Sequence, residues 1–238
     1  MLFAVVTAEV SAATVDPNAE PFVRALEAHY RSAKTLKAVF LERYSEGREG
    51  LQAESGTVYF SRPGRMRWEY EAPESKTFLS DGKTVWLYVP KDRTATRAPL
   101  KQSDDWRSPL ALLTGKADLA RLCDKVQVSD HLPATAGDVV LLCLPRGQKR
   151  ATSNESHSDS QSALSDPTAD FDRVFLEIQP ETGQLADVKV LQPGGIELEY
   201  TFGNWQENFP IPESKFHFQA PPGVAIVDGS AEPSSGSQ

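Results

Sequence analysis

A mainly β chain is predicted: one curved antiparallel sheet forming an incomplete, half-open β-barrel of about 11 strands, covered by an N-terminal helix and a short helical insertion. Three observations carry this. Side chains alternate with period two in run after run from Leu36 onward, as in strands with unlike faces. The clearest apolar recurrence at three- and four-residue steps precedes those runs. A Leu-rich stretch with helix start and stop signals interrupts them after Ser108. A sheet this wide curls or closes, and helices are then available to cover its concave side. The pattern crosses both halves without a linker, so one domain over residues 20–228 is expected.

The chain begins "MLFAVVTAEVSAATVDP". Its apolar run Leu2 to Val6 and the small residues around Val10 to Ala13 fit the end of a secretory signal over residues 1–13, with the basic start missing. A cytosolic leader without structure is the alternative. No other run approaches the roughly 20 apolar residues a membrane helix needs, and no Cys follows the apparent cleavage point to carry a lipid. A soluble exported protein is the expectation.

Phe22, Val23, Leu26, Tyr30 and Ala33 mark the apolar face of the first helix, with Arg24, Glu27 and Arg31 elsewhere. Strand alternation then takes over at Leu36, Ala38 and Phe40. After the turn "SEGREG" a second strand places Gly56, Val58, Phe60 and Arg62 on one face, and Pro63-Gly64 ends it. In the third strand Met66, Trp68 and Tyr70 oppose Arg65, Arg67 and Glu69, which predicts one covered and one wet face. "KTFLS" and "KTVWLYV" flank Asp81-Gly82, a dipeptide suited to a type I′ hairpin turn, and Thr84, Trp86 and Tyr88 share a face.

Ser108 as N-cap, Pro109 in the first turn, Leu110, Leu112 and Leu113, and Gly115 as stop predict a short helix, with another turn or two over Lys116 to Leu122. Strands are predicted again at Lys125–Val128, Asp138–Leu144, Arg173–Gln179, Leu185–Leu191, Ile196–Phe202 and Lys215–Phe218. The polar stretch of about residues 146–170 and the tail 229–238 hold too little apolar surface to offset their ordering entropy, and read as a flexible surface loop and a disordered tail.

Lys and Arg total 25 against 33 Asp and Glu, a net charge of -8, with no basic cluster; this argues against a nucleic-acid partner. His29, His131, His157 and His217 are isolated, and no metal, nucleotide or hydrolase motif occurs, so neither an enzyme nor a cofactor or metal is expected. Cys123 and Cys143 lie too far apart for a redox or zinc pair. In an oxidising compartment they could close a loop of about 20 residues, worth roughly 3 kcal/mol; otherwise they are two small buried hydrophobes.

What remains is an aromatic concave surface with a cation at its edge. Phe40, Val58, Phe60, Met66, Trp68, Tyr70 and Trp86 are the candidates for lining it. Arg62, if it keeps the face of Val58 and Phe60, needs acceptors such as backbone carbonyls of a covering helix or the polar head of a ligand; if the strand breaks at Pro63 it points into water. Phe22 and Leu26 of the helix and Leu110, Leu112 and Leu113 of the insertion are the candidate cover.

"RPGRMRWEYEAPESKTFLSDGKTVWLYVP", "SPLALLTGKADL" and "KFHFQAPPGVAIVD" resemble the corresponding segments of the LolA family, periplasmic carriers of bacterial outer-membrane lipoproteins. The resemblance runs from Phe22 to Asp228 apart from the polar loop, and implies a half-barrel lidded by helices whose cavity takes acyl chains. It implies a monomer whose partners are acylated lipoproteins, an inner-membrane ABC lipoprotein-release complex and an outer-membrane receptor, and it makes Arg62 the residue that stabilises lid closure. A periplasmic sensor that binds lipid or lipoprotein with the same fold is the main alternative, and a lipid hydrolase the other. The long Ser-rich loop, the two cysteines and the imperfect export signal depart from the family.

Overall fold

Period-two alternation in this chain is realised as strand almost wherever it occurs. The computed structural model describes residues 14–47, 50–100, 112–115, 118–135, 137–146 and 173–229. The elements are β1 (Thr14–Val15), α1 (Glu20–Arg31), β2 (Thr35–Glu46), β3 (Gln52–Ser61), β4 (Arg65–Ala72), β5 (Lys76–Ser80), β6 (Thr84–Val89), β7 (Thr94–Pro99), α2 (Leu119–Leu122), β8 (Cys123–Val128), β9 (Val139–Pro145), β10 (Arg173–Ile178), β11 (Leu185–Gln192), β12 (Ile196–Glu207) and β13 (Ala225–Asp228). They form one open, curved sheet in the order β1-β8-β9-β10-β11-β12-β2-β3-β4-β5-β6-β7-β13. The predicted architecture holds, with 13 strands among the described residues rather than about 11.

Cross-strand register fixes which side chains share the inner face. Phe40 lies opposite Gly56 and Phe202, Val58 opposite Ala38 and Trp68, and Trp68 opposite Phe78. The same face continues through Tyr200, Val188, Leu176 and Leu141. Val23, Leu26 and Tyr30 of α1 pack onto it and complete the main core. Gly56 is required here, because a Cβ at that position would sit 1.9 Å from the carbonyl oxygen of Glu69.

The outer face is not simply wet. After β12 the chain crosses the outer side of β2 to β6 before returning as β13, which pairs in parallel with β7. Asn208 is tied to Thr35 at the start, Lys215 bonds Glu69 at 3.0 Å, its carbonyl accepts from Arg67 at 3.2 Å, and Phe218 stacks on Trp86 with ring centroids 4.8 Å apart. Leu79 of the outer face and Phe216 of the strap itself are both buried.

Several expectations need correction. Lys215–Phe218 is not a strand: Glu213–Phe216 form a 3₁₀ turn, because the strap bonds to side chains of the sheet below it and not to a strand edge. The strand predicted at Leu36 to Phe40, β2, continues to Glu46. At the Asp81-Gly82 hairpin only Gly82 takes a positive φ, +93°, so the turn is not type I′; the Asp81 carboxylate holds it by accepting from the Lys83 and Thr84 amides. Of the helix predicted from Ser108 to Gly115 only Leu112–Gly115 are described, and they form a turn; residues 101–111 lie outside the described residues, as do 1–13, 147–172 and 230–238.

Candidate functional site

The inner face of β2, β3, β4 and β12 is a block of rings. Trp68 meets Phe40 edge-on at 4.8 Å, Tyr200 at 5.2 Å and Phe60 edge-on at 6.0 Å, and Phe40 also meets Tyr70 at 5.0 Å. Phe40, Val58, Phe60, Met66, Trp68 and Tyr70, six of the seven predicted lining residues, share this face, each 6% exposed or less. The face is therefore closed in this conformation, with α1 lying on it. At one end Tyr70 donates to Glu42 at 2.7 Å, and the Lys76 ammonium lies 4.4 Å from its ring. At the other end stand Arg62 and the cover.

Trp86 is a correction. Its partners in register are Leu79 and Arg97, whereas the inner face of β5 and β6 carries Phe78, Val85 and Leu87. Residues 73–83 include a turn and a hairpin, and no alternation can be counted through them. The indole therefore lies on the outer face under Phe218.

Arg62 follows the last residue of β3 and is joined to Pro63 by a cis peptide. Its side chain keeps to the covered end of the sheet. Nη1 donates to the Arg31 carbonyl of α1 at 3.2 Å and Nη2 to the Leu112 carbonyl at 3.4 Å. Backbone carbonyls thus supply acceptors to both terminal nitrogens of this half-buried guanidinium, and burial lowers its pKa from the ordinary arginine value. The Thr114 carbonyl accepts from the Gly64 amide at 3.0 Å in the same turn. Gly115, at φ +72°, lies against the Arg62 side chain so closely that a Cβ would come within 2.8 Å of it.

Two described pieces form the cover beside α1: Leu112–Gly115 and Asp118–Leu122. Leu112, Leu113 and Leu119 are buried in the core, and Leu26 of α1 is fully buried; Phe22 is only partly buried against it. Leu110 lies outside the described residues. Within α2 the Asp118 side chain accepts from the Arg121 amide at 2.9 Å, and Cys123 directly after it is joined by a disulfide to Cys143. Two contacts were not legible in the sequence. Glu27 accepts from the Leu119 amide at 3.0 Å, and the Tyr30 hydroxyl accepts from the Leu185 amide at 2.9 Å. A polar-face glutamate gives no sign of such a partner, whereas a lone tyrosine on an apolar helix face does signal a buried polar tip. Among the described residues no cluster of three or more His, Cys, Asp or Glu could hold a metal.

Residues 31–154 match the family model described as outer membrane lipoprotein carrier protein LolA, a span that contains Arg62 and both pieces of the cover. A relative called outer-membrane lipoprotein carrier protein in Hahella chejuensis is 27% identical over 223 residues, covering 92% of this chain and 94% of its own. One of the same name in Bordetella avium is 30% identical over 175 residues, 74% of this chain and 71% of that protein. Among solved structures, an uncharacterized conserved protein from Thermus thermophilus shares the fold, with a TM-score of 0.51 at 11% identity over 89% of this chain and 99% of its own.

Proposed function

We propose, from the premise that this chain belongs to the LolA family of outer membrane lipoprotein carrier proteins, that it is a periplasmic carrier binding the acyl chains of lipoproteins against its inner face and moving them from the inner to the outer membrane. The observation that carries this reading is the pairing of a continuous aromatic face with a cover held at its end by individual hydrogen bonds.

The energetics favour such a device. Exposing an acyl chain of about fifteen methylenes to water costs on the order of 12 kcal/mol, which forbids free diffusion between membranes. A carrier must offset most of that cost and still let go. In this closed conformation the same rings are buried under α1 and the cover, so loading exchanges one apolar contact for another and the balance stays near neutral. Arg62 lies where that exchange is decided, because its bonds join the sheet, α1 and the cover and must break when the cover lifts. No described helix is long and apolar enough to cross a membrane. Loading by an inner-membrane ABC complex and delivery to an outer-membrane receptor complete the route, with the chain acting as a monomer and by binding rather than by covalent chemistry.

Two measurements test this. Protein purified from a periplasmic extract is expected to bring lipidated polypeptides with it, read by mass spectrometry; phospholipid alone would favour a general lipid shuttle, and turnover of an ester substrate would favour a hydrolase. Arg62→Leu is expected to change the rate of cargo release in a liposome-transfer assay more than it changes folding stability. Equal release rates for variant and wild type would remove Arg62 from the mechanism.

A further inference from the structure

Glu27 belongs to the polar side of α1, where water would be its ordinary partner. Its side chain is nevertheless only 18% exposed. One carboxylate oxygen accepts from the Leu119 main-chain amide at 3.0 Å, and the other lies 3.7 Å from Arg31 Nη2. We infer that Glu27 is a second closing residue of the cover, holding the Asp118–Leu122 piece to α1 as Arg62 holds the Leu112–Gly115 piece. The inference rests on the carrier reading, since closure matters only if something is enclosed.

The geometry places both contacts on one stretch of helix. The carbonyl of Arg31, four residues after Glu27, receives Arg62, and Arg62 also reaches Leu112. The last turns of α1 therefore offer a carboxylate to one piece of the cover and a carbonyl to the other. The amide at Leu119 needs an acceptor from outside its own turn. The Asp118 side chain is engaged by Arg121, and the first amides of any helical turn lack partners within it. Leu119 is itself 1% exposed, so lifting this piece withdraws a leucine from the core and strips its amide of the carboxylate together. A hydrogen bond to an ionised acceptor is worth more than a neutral one, so its loss weighs on the open–closed balance more than an ordinary surface contact. Glu27 is a positioning residue, not a ligand of the cargo.

Glu27→Leu keeps helix propensity and removes the acceptor; Glu27→Gln keeps an acceptor oxygen. Amide hydrogen exchange on the cargo-free full chain and release of a dansyl-labelled fatty acid from the loaded protein are the two readouts. For Glu27→Leu, exchange over Leu112–Gly115 and Leu119–Cys123 is expected to quicken while β10 and β11 keep wild-type protection. Probe release is expected to rise about tenfold, equivalent to about 1.4 kcal/mol. Glu27→Gln is expected to restore most of both, and Glu27→Leu with Arg62→Leu to release faster than either single variant. Unchanged exchange in the cover, or faster exchange spread evenly over the whole sheet, would overturn the assignment. A wild-type chain that bound no probe would sink the carrier reading instead, while the exchange data would still decide the role of Glu27.

Discussion

Asp187 shows how much one side chain's surroundings can outweigh its intrinsic chemistry. It lies on the outer face of β11, opposite Glu177 of β10 and Thr201 of β12. Burial raises its pKa to about 7; the Thr201 hydroxyl, donating at 2.9 Å, opposes this, the Glu199 and Glu177 carboxylates add to the rise, and Lys189 works against it. Its unfolded value is near 3.8, so the folded chain holds a proton that the unfolded chain has lost. The stabilising contribution is thus complete below the unfolded value and disappears as pH rises through about 7. Asp187→Asn, which stays neutral and can still accept from Thr201, is expected to flatten stability across this window. At about pH 8 it should be more stable than wild type by ~1 kcal/mol or more, read from urea denaturation at several pH values. A variant with the wild-type pH dependence would contradict the assignment.

At the scale of the element, α1 matters because it is both packing and platform. Its 12 residues present Val23, Leu26 and Tyr30 to the sheet, and Tyr30 adds a polar contact by accepting the Leu185 amide. Burial raises the pKa of that phenol above its ordinary value. Trp205 reinforces the site by donating to the Leu185 carbonyl at 2.8 Å and lying 5.8 Å from the Tyr30 ring. Tyr30→Phe would retain the ring and leave the amide without its acceptor. A loss of about 1–3 kcal/mol is expected from chemical denaturation, with faster exchange of the Leu185 amide as the local signature. Most of α1 was legible in the sequence, because a 3.6-residue period needs only local pattern. So were the strands from Gly56 to Tyr70, where side chains alternate cleanly, and the two that flank Asp81-Gly82, which the turn dipeptide marks. Thr94–Pro99 and Ala225–Asp228 were missed because the first has no large apolar residue and ends in proline, and the second is four exposed residues whose partner lies far away in sequence. Trp86 failed for a related reason: facing is set by register between strands, which alternation within one strand does not report.

For the whole molecule, the decisive pairing joins the chain's two halves. β2 to β7 follow one another as neighbours and so do β8 to β12, but β12 then pairs with β2 from Ile196↔Glu46 to Glu207↔Leu36 and makes one sheet of the two series. Local hairpin signals reveal each series; the seam between them is long-range and leaves no local trace. This topology puts β8 near an edge, supported beyond by only the two residues of β1. The Cys123–Cys143 bond lies there, linking β8 to β9 with Cα atoms 5.5 Å apart, immediately after the piece of cover held by Glu27. A cross-link closing about 20 residues restricts the unfolded chain by roughly 3 kcal/mol, and at this position it also holds the downstream end of the cover to the sheet. Reduction, or Cys123→Ala with Cys143→Ala, is expected to lower the unfolding free energy by about that amount in urea titrations. In the same samples amide exchange should quicken from Leu119 to Val126, whereas β2, β3 and β4 should lose protection only in proportion to global stability. Equal loss along the whole sheet would mean that the bond acts on the unfolded chain alone. Preferential loss at β8 would mean that the compartment's redox state also governs how firmly the carrier stays closed.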